Sequence, residues 1–106
     1  MSKAILYQGQ PSATAAAIYT ATVLTSLDAV SVCNTTAGAL TLNVWIVPGG
    51  GTAAADNMIY NAVSVGANAQ ISLSLLVNQA LGVTDELHMQ ASAATSLTGT
   101  ISGRIP

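Results

Sequence analysis

The sequence predicts an all-β fold, an antiparallel β-sandwich or jelly-roll-like barrel of about eight short strands. Apolar and polar residues alternate with period two in several short segments, and small polar or glycine-containing turns separate these segments. No segment offers the helical crossovers that a parallel α/β fold requires. At 106 residues the chain has the length of one domain, so we expect a single sandwich over residues 1–106.

Four segments alternate most regularly and give the clearest strand predictions. In the first of them, Leu42 and Val44 flank the polar Asn43, as a half-buried strand requires. In the last, Ile101 and Arg104 fall on opposite faces, and Arg104 is expected in solvent. A break is expected at residues 94–95. The four segments are residues 40–47, 70–75, 87–93 and 97–105.

Four further segments are rich in β-branched or aromatic residues and are predicted as strands on that basis. The Ala-rich stretch 13–25 could also form a helix, but its β-branched residues and its lack of a 3.6-residue period favour a strand. A turn is expected at 26–28, and residues 75–81 are compatible with one helical turn. The four segments are residues 4–8, 17–24, 28–34 and 58–65.

Charge is scarce in this chain. Two basic and four acidic residues give a net charge of −2 and a charged fraction of 6%, where roughly 25% is usual. Lys3 and Arg104 could neutralise only about two phosphates, so direct binding to nucleic acid is not expected. Either uncharged polar side chains form the surface, or other subunits cover much of it.

The sequence also bears on where in the cell the protein is expected. No window of membrane-span length is free of polar residues, so we expect no transmembrane helix. The first residues lack the pattern of a secretory leader, which favours synthesis and assembly in a cytoplasm. Cys33 is the single cysteine, so there is no internal disulfide. A buried, inert thiol is expected, with an intersubunit disulfide or a reactive thiol as the alternatives.

Residues for catalysis are few, and we expect no enzyme, no cofactor and no metal site. His88 is the one imidazole, and its phase places it exposed on a polar strand face beside Gln90 and Ser92. It has no second His or Cys at ligand spacing, although a three-fold assembly could bring three copies together. Asp85 and Glu86 fit a turn before a strand better than a calcium site.

Several residues are candidates for an interface with another protein. Trp45 falls on the polar face of its strand, where an exposed ring would mark an interface, unless a bulge or a second layer buries it. Met58 and Tyr60 are expected to share one face of their strand, with a place in the core favoured over an interface. The glycine-rich run 48–52 suggests a mobile surface loop that contacts a neighbour. The candidate interface residues are Trp45, Tyr60, Met58, Pro48, Gly49 and Gly50.

With these residues in view, the chain resembles small virion proteins of tailed bacteriophages, which are β-sandwich decoration or accessory structural proteins. The resemblance covers most of the chain but consists of strand and turn patterns. One departure is Thr84 followed by Asp85, where that group usually has Gly-Asp. The segments that carry the resemblance are residues 6–10 (LYQGQ), 18–20 (IYT), 32–36 (VCNTT), 45–48 (WIVP), 57–62, 85–87 and 90–94.

The resemblance implies a structural part in the virion, assembled in the host cytoplasm. Together with the scarcity of charge, it leads us to expect a capsid decoration protein that forms a homo-oligomer, most simply a trimer, on the major capsid protein or another virion protein. A neck, tail or fibre-attachment subunit would have the same features. The alternative from another functional class is a carbohydrate-binding module, in which Trp45 and Tyr60 would serve as stacking platforms.

Overall fold

The computed structural model describes residues 2–93 and 96–106. These residues include nine antiparallel strands, which form two sheets. The predicted all-β sandwich is confirmed. Single turns of 3-10 helix occur at Ala55–Asn57 and Ser74–Leu76. The strands are β1 (Ser2–Gly9), β2 (Ala16–Thr20), β3 (Thr25–Asn34), β4 (Leu40–Val47), β5 (Met58–Val65), β6 (Gln70–Ser72), β7 (Ala80–Leu81), β8 (Glu86–Ala91) and β9 (Leu97–Ile105).

The strand order gives the sandwich two distinct ends. One sheet has the order β1-β9-β3-β6, with β7 also paired to β3, and the other has the order β2-β8-β4-β5. The connections β2–β3, β4–β5 and β7–β8 meet at what we call the first end. The connections β1–β2, β3–β4 and β5–β6 meet at the second end, where β8 ends and β9 begins. No helix among the described residues is long and apolar enough to cross a membrane.

The core lies between the two sheets, where apolar residues from both inner faces form one buried cluster. In β3 the inward positions change from odd to even numbers, because a bulge at Asp28 adds one residue between Leu27 and Ala29. Leu27 and Val30 can therefore both lie in the core, and the carboxylate of Asp28 lies 2.9 Å from Nε of Arg104. Arg104 is exposed, as expected.

Several predicted boundaries were wrong where tertiary hydrogen bonds replace strand pairing. Residues 21–24 form a connection rather than the end of a strand, and 26–28 belong to β3 instead of a turn. At this point the Ala21 amide donates to the Asp85 carbonyl at 2.9 Å, and the Thr84 amide donates to the Ala21 carbonyl at 2.8 Å. The predicted break at 94–95 lies outside the described residues.

The predicted strand 70–75 ends early, at Ser72. The 3-10 turn that follows places side chains three residues apart on one side, so Leu73 and Leu76 both enter the core while Leu75 stays exposed. A helical turn was expected somewhere in residues 75–81, and the turn at Ser74–Leu76 lies at the start of that stretch. Extended backbone would have placed Leu73 and Leu75 on one face and Leu76 on the other.

Tyr7 packs against the core from β1, and its ring lies against the paired glycines Gly9 and Gly99. Burial raises the pKa of the Tyr7 hydroxyl above its ordinary value of 10.0. The folded chain therefore holds this proton more tightly than the unfolded chain does. The corresponding stability is fully present below pH 10.0 and is lost as the pH rises through the raised pKa.

We expect Tyr7→Phe to remove this part of the alkaline destabilisation, because phenylalanine has no proton to lose. Thermal unfolding midpoints measured in a series of alkaline buffers, for the wild type and the variant, check it. The two curves should separate above pH 10.0 and run together below it, apart from a constant offset. Parallel curves throughout the alkaline range would show that Tyr7 makes no such contribution.

Candidate interaction surfaces

The outer face of the four-stranded sheet carries Trp45 and His88, two of the side chains that the sequence analysis singled out. Neighbouring strands β4 and β8 pair Asn43 with Gln90, Trp45 with His88, and Val47 with Glu86. Paired residues point to the same side of a sheet, so these side chains form three rows across the outer face. The row near the second end consists of two amides, and the row near the first end pairs the buried Val47 with the half-buried carboxylate of Glu86.

Trp45 lies on this outer face but is only 7% exposed, so the exposed ring that would mark an interface is not present in the single chain. Trp45 and Val47 are both buried, yet neither belongs to the inter-sheet core cluster. The β4–β5 connection covers this end of the face. Its 3-10 turn contacts β4, and Gly51 lies against the Val47 side chain. Trp45 is therefore buried outside the inter-sheet core, on a face that a connection covers at this end, and not between the two layers of the sandwich.

Met58 and Tyr60 were expected to share one face of β5, and that expectation is wrong. Tyr60 pairs with Val44 and Met58 with Trp45, so an extra residue, Ile59, is inserted between neighbouring β4 positions. Because Val44 and Trp45 point to opposite faces, Tyr60 turns towards the core and Met58 towards the outer face. The Tyr60 hydroxyl accepts the Leu75 amide at 2.9 Å.

This geometry bears on the sugar-binding alternative. The rings of Trp45 and Tyr60 lie on opposite faces of the sheet, and Tyr60 is half-buried against the core. They therefore do not form one stacking platform, and a sugar would need a different site.

The glycine-rich run after β4 is exposed, as expected for a surface loop. It forms a tight turn in which the Gly51 amide donates to the Pro48 carbonyl at 2.9 Å, and Gly50 has a φ of 79°. The turn is also held from the side, since the Gly49 amide donates to Asp85 Oδ1 at 3.2 Å. A Cβ on Gly49 would overlap the Thr84 side chain. Pro48, Gly49 and Gly50 thus form a braced turn.

Thr84 occupies the third position of the next turn, which the Asp85 amide closes onto the Gly82 carbonyl at 3.0 Å. Its φ is 75°, in the left-handed region where a β-branched residue is strained. This is the position at which the sequence analysis expected Gly-Asp and the chain has Thr84-Asp85. Glycine would relieve the strain.

Thr84→Gly is expected to raise the free energy of unfolding by about 1 kcal/mol, because glycine adopts a positive φ without steric cost. Thr52→Gly is the matched control. Thr52 is exposed in a neighbouring connection and is not among the residues with positive φ, so its replacement should slightly lower stability. Denaturant unfolding of both variants measures the difference. A loss of stability in Thr84→Gly would mean that contacts of the Thr84 side chain outweigh its backbone strain.

His88 lies on the outer face, as predicted, but it is less exposed than expected. Its side chain is 13% exposed, and its Nε2 lies 2.8 Å from Glu86 Oε1. The other carboxylate oxygen, Oε2, accepts the Thr20 hydroxyl at 3.4 Å. These contacts link β2 to β8, so the pair holds an edge strand in place. Asp85 braces its turn and Glu86 begins β8, as expected for a turn before a strand.

A polar groove of about 250 Å³ lies near the second end of the same face, and the sequence did not predict it. Asn43 donates from Nδ2 to Gln90 Oε1 at 3.1 Å and accepts the Ala62 amide at 2.7 Å. Gln90 in turn donates from Nε2 to the Ala13 carbonyl at 3.0 Å. The groove is therefore built from uncharged side chains that bond mostly to neighbouring backbone groups. Its lining residues are Ala13, Thr41, Asn43, Gln90, Ala91 and Ser92.

Cys33 is half-buried on the outer face of the five-stranded sheet, opposite Thr98 and Gln70, so it is less buried than expected. Among residues 2–93 and 96–106, no three His, Cys, Asp or Glu side chains come together as metal ligands.

Exposed aliphatic side chains are the other notable surface feature. Ile5 on β1 is 67% exposed, and Leu24 and Val83 project from connections at the first end. The hydrogen bonds of Ala21 join the β2–β3 connection to the β7–β8 connection, so Leu24 and Val83 project from backbone that is held in place. The large hydrophobic residues exposed among the described ones are Ile5, Val23, Leu24, Leu75, Val77 and Val83.

Comparison of the chain with protein families, curated proteins and solved structures gave no match.

Proposed function

We propose that the chain is a structural protein of a virus particle, a capsid decoration protein that associates with copies of itself, as a trimer, on the outer surface of the shell and stabilises it. Its activity in this proposal is adhesion and not catalysis. The partners are further copies of the chain and the major capsid protein or another virion protein. The resemblance to small phage virion proteins supports the place in the virion.

One observation about the surface supports association most directly. The described residues expose six large aliphatic side chains, by 37% to 67%, and the whole sequence has two basic and four acidic residues. Exposed aliphatic side chains gain free energy when a partner covers them, and few charges must be stripped of water at the same time. An association of this kind depends on apolar contacts and hydrogen bonds, so salt should affect it weakly.

Light scattering coupled to size-exclusion chromatography tests the self-association. We expect the mass of a trimer, largely unchanged between low and moderate salt. A stable interface of the usual size buries about 800 Å² on each partner. A monomer at every concentration would remove the oligomer from the proposal.

Particles of the virus that encodes the chain test the location. Labelling the chain and imaging intact particles should place it on the head, and particles without it should open at a lower temperature. A label at the neck, tail or fibre base would assign the chain to those structures. Release of the chain on moving from low to moderate salt would contradict adhesion through uncharged contacts.

A further inference from the structure

The charged residues of this chain are confined to one part of the sandwich. Lys3 lies opposite Arg104 in the sheet, and Arg104 contacts Asp28, so these three lie near the start of β3. The remaining three lie in or beside the β4–β5 and β7–β8 connections. All six therefore lie at the first end or in strand residues next to it. The full set is Lys3, Asp28, Asp56, Asp85, Glu86 and Arg104.

The second end has the opposite character. Its β1–β2, β3–β4 and β5–β6 connections comprise residues 10–15, 35–39 and 66–69, and none of these residues has an ionisable side chain. Most of them are exposed to solvent. We call these three connections the uncharged end. The nearby groove is lined by uncharged residues as well.

Hydrogen bonds fasten the connections of the uncharged end to one another. The Asn68 amide donates to the Thr36 carbonyl at 3.0 Å, and the Asn34 amide donates to the Ala69 carbonyl at 2.8 Å. The first connection is tied to the sheet, since the Ala91 amide donates to the Ser12 carbonyl at 2.9 Å. A surface held in this way loses little conformational freedom when a partner covers it.

Burial of an unpaired charge is expensive, whereas uncharged polar groups can exchange their water for a partner at modest cost. We propose that the uncharged end is the surface by which the chain docks on the shell, with the charged residues of the first end outside that contact and the exposed aliphatic side chains there free to meet other copies of the chain. This inference rests on the proposed function and names the face that the shell covers.

The same reasoning defines the chemistry of the partner. A charged group on the shell would be buried against a surface that holds no counter-charge, so the shell surface that meets this end is itself uncharged. Contacts of this kind are made by backbone and hydroxyl hydrogen bonds and by close packing of short side chains.

Add-back of purified chain to particles depleted of it tests the docking. Ala37→Asp and Ala67→Asp place a charge in exposed positions of the uncharged end, and Ala55→Asp makes the same change at the exposed first end. We expect the first two variants to bind at least about tenfold more weakly than the wild type. Ala55→Asp should change binding by less than about twofold. Equal thermal midpoints of the free proteins show that folding is unaffected.

The outcomes separate the two proposals. If the wild-type chain fails to bind depleted particles, the proposed function fails, and this inference with it. If the wild type binds and Ala55→Asp weakens binding more than the other two variants do, only the docking surface is wrong. If Ala37→Asp and Ala67→Asp dissociate the free oligomer, the uncharged end joins subunits and not the shell. Tighter binding by Ala37→Lys would mean an acidic partner and would overturn the uncharged one.

Discussion

Replacing Asn34 with alanine is expected to lower the free energy of unfolding by about 3 kcal/mol, because it removes a buried amide that holds several backbone groups. Asn34 is 1% exposed at the end of β3. Its Nδ2 donates to the Gly38 carbonyl at 2.8 Å and to the Val65 carbonyl at 3.1 Å. Its Oδ1 accepts the Thr36 amide at 2.9 Å and the Thr36 hydroxyl at 2.7 Å.

Alanine would leave the buried Val65 carbonyl without its partner, and an unsatisfied buried group costs about 1 to 3 kcal/mol. It would also remove the bonds to Thr36 and Gly38, which lie nearer to solvent. The backbone of the β3–β4 connection would also lose its link to the end of β5. For a domain of this size the loss corresponds to a fall of roughly 10 to 15 °C in the unfolding midpoint. Chemical denaturation and calorimetry measure both quantities.

Asn61→Ala is the matched control, since Asn61 is exposed on β5, and its replacement should change stability by less than about 0.5 kcal/mol. Asn34→Asp keeps the acceptor for Thr36 and loses both donors, so it should also be strongly destabilising. If Asn34→Ala unfolds like the control, the amide network contributes little and the rigidity of the uncharged end has another source.

The strands could be predicted from the sequence because alternation and β-branched residues act locally. In β9 the inward positions Leu97, Gly99 and Ile101 are buried as the pattern indicates. The pairing of the strands depends on contacts distant in sequence, and alternation alone does not determine it. The groove shows this, because it depends on Asn43 and Gln90 being neighbours, and only the order of β4 and β8 makes them so.

Bulges account for most of what the sequence missed at the candidate interface. A second bulge in β5 gives Ala62 a φ of 54°, and its amide donates to the side chain of Asn43. Alanine has no particular preference for that conformation, so nothing in its identity indicates the bulge. The faces assigned to Met58 and Tyr60 therefore changed with the bulge at Ile59, although the strand itself was predicted with the correct bounds.

The clustering of charge at one end also depends on strand pairing, which joins residues that are distant in sequence. Lys3, Asp28 and Arg104 are far apart in the sequence, and the pairing of β1, β9 and β3 brings them together. The sequence shows that charge is scarce, and the fold shows where it is absent. The first fact favours association in general, and the second distinguishes one end of the molecule from the other.

Trp45→Ala is expected to lower the free energy of unfolding by about 3 to 5 kcal/mol, the usual effect of removing a large buried aromatic side chain. Trp45 is 7% exposed in the single chain and lies between Met58 and His88 in neighbouring strands. A domain of this size is stable by only about 5 to 15 kcal/mol, so much of the variant would unfold at moderate temperature.

The prediction separates a structural tryptophan from one that binds a partner. Trp45 is the single tryptophan, so its fluorescence in the wild type should be blue-shifted and poorly quenched by iodide even in monomers. Leu24→Ala is the control, since Leu24 is 61% exposed and its loss should change the stability of the monomer by less than about 0.5 kcal/mol. If Trp45→Ala keeps the stability of the wild-type monomer but no longer associates, Trp45 lies in the interface between subunits. The β4–β5 connection would then not cover it in solution.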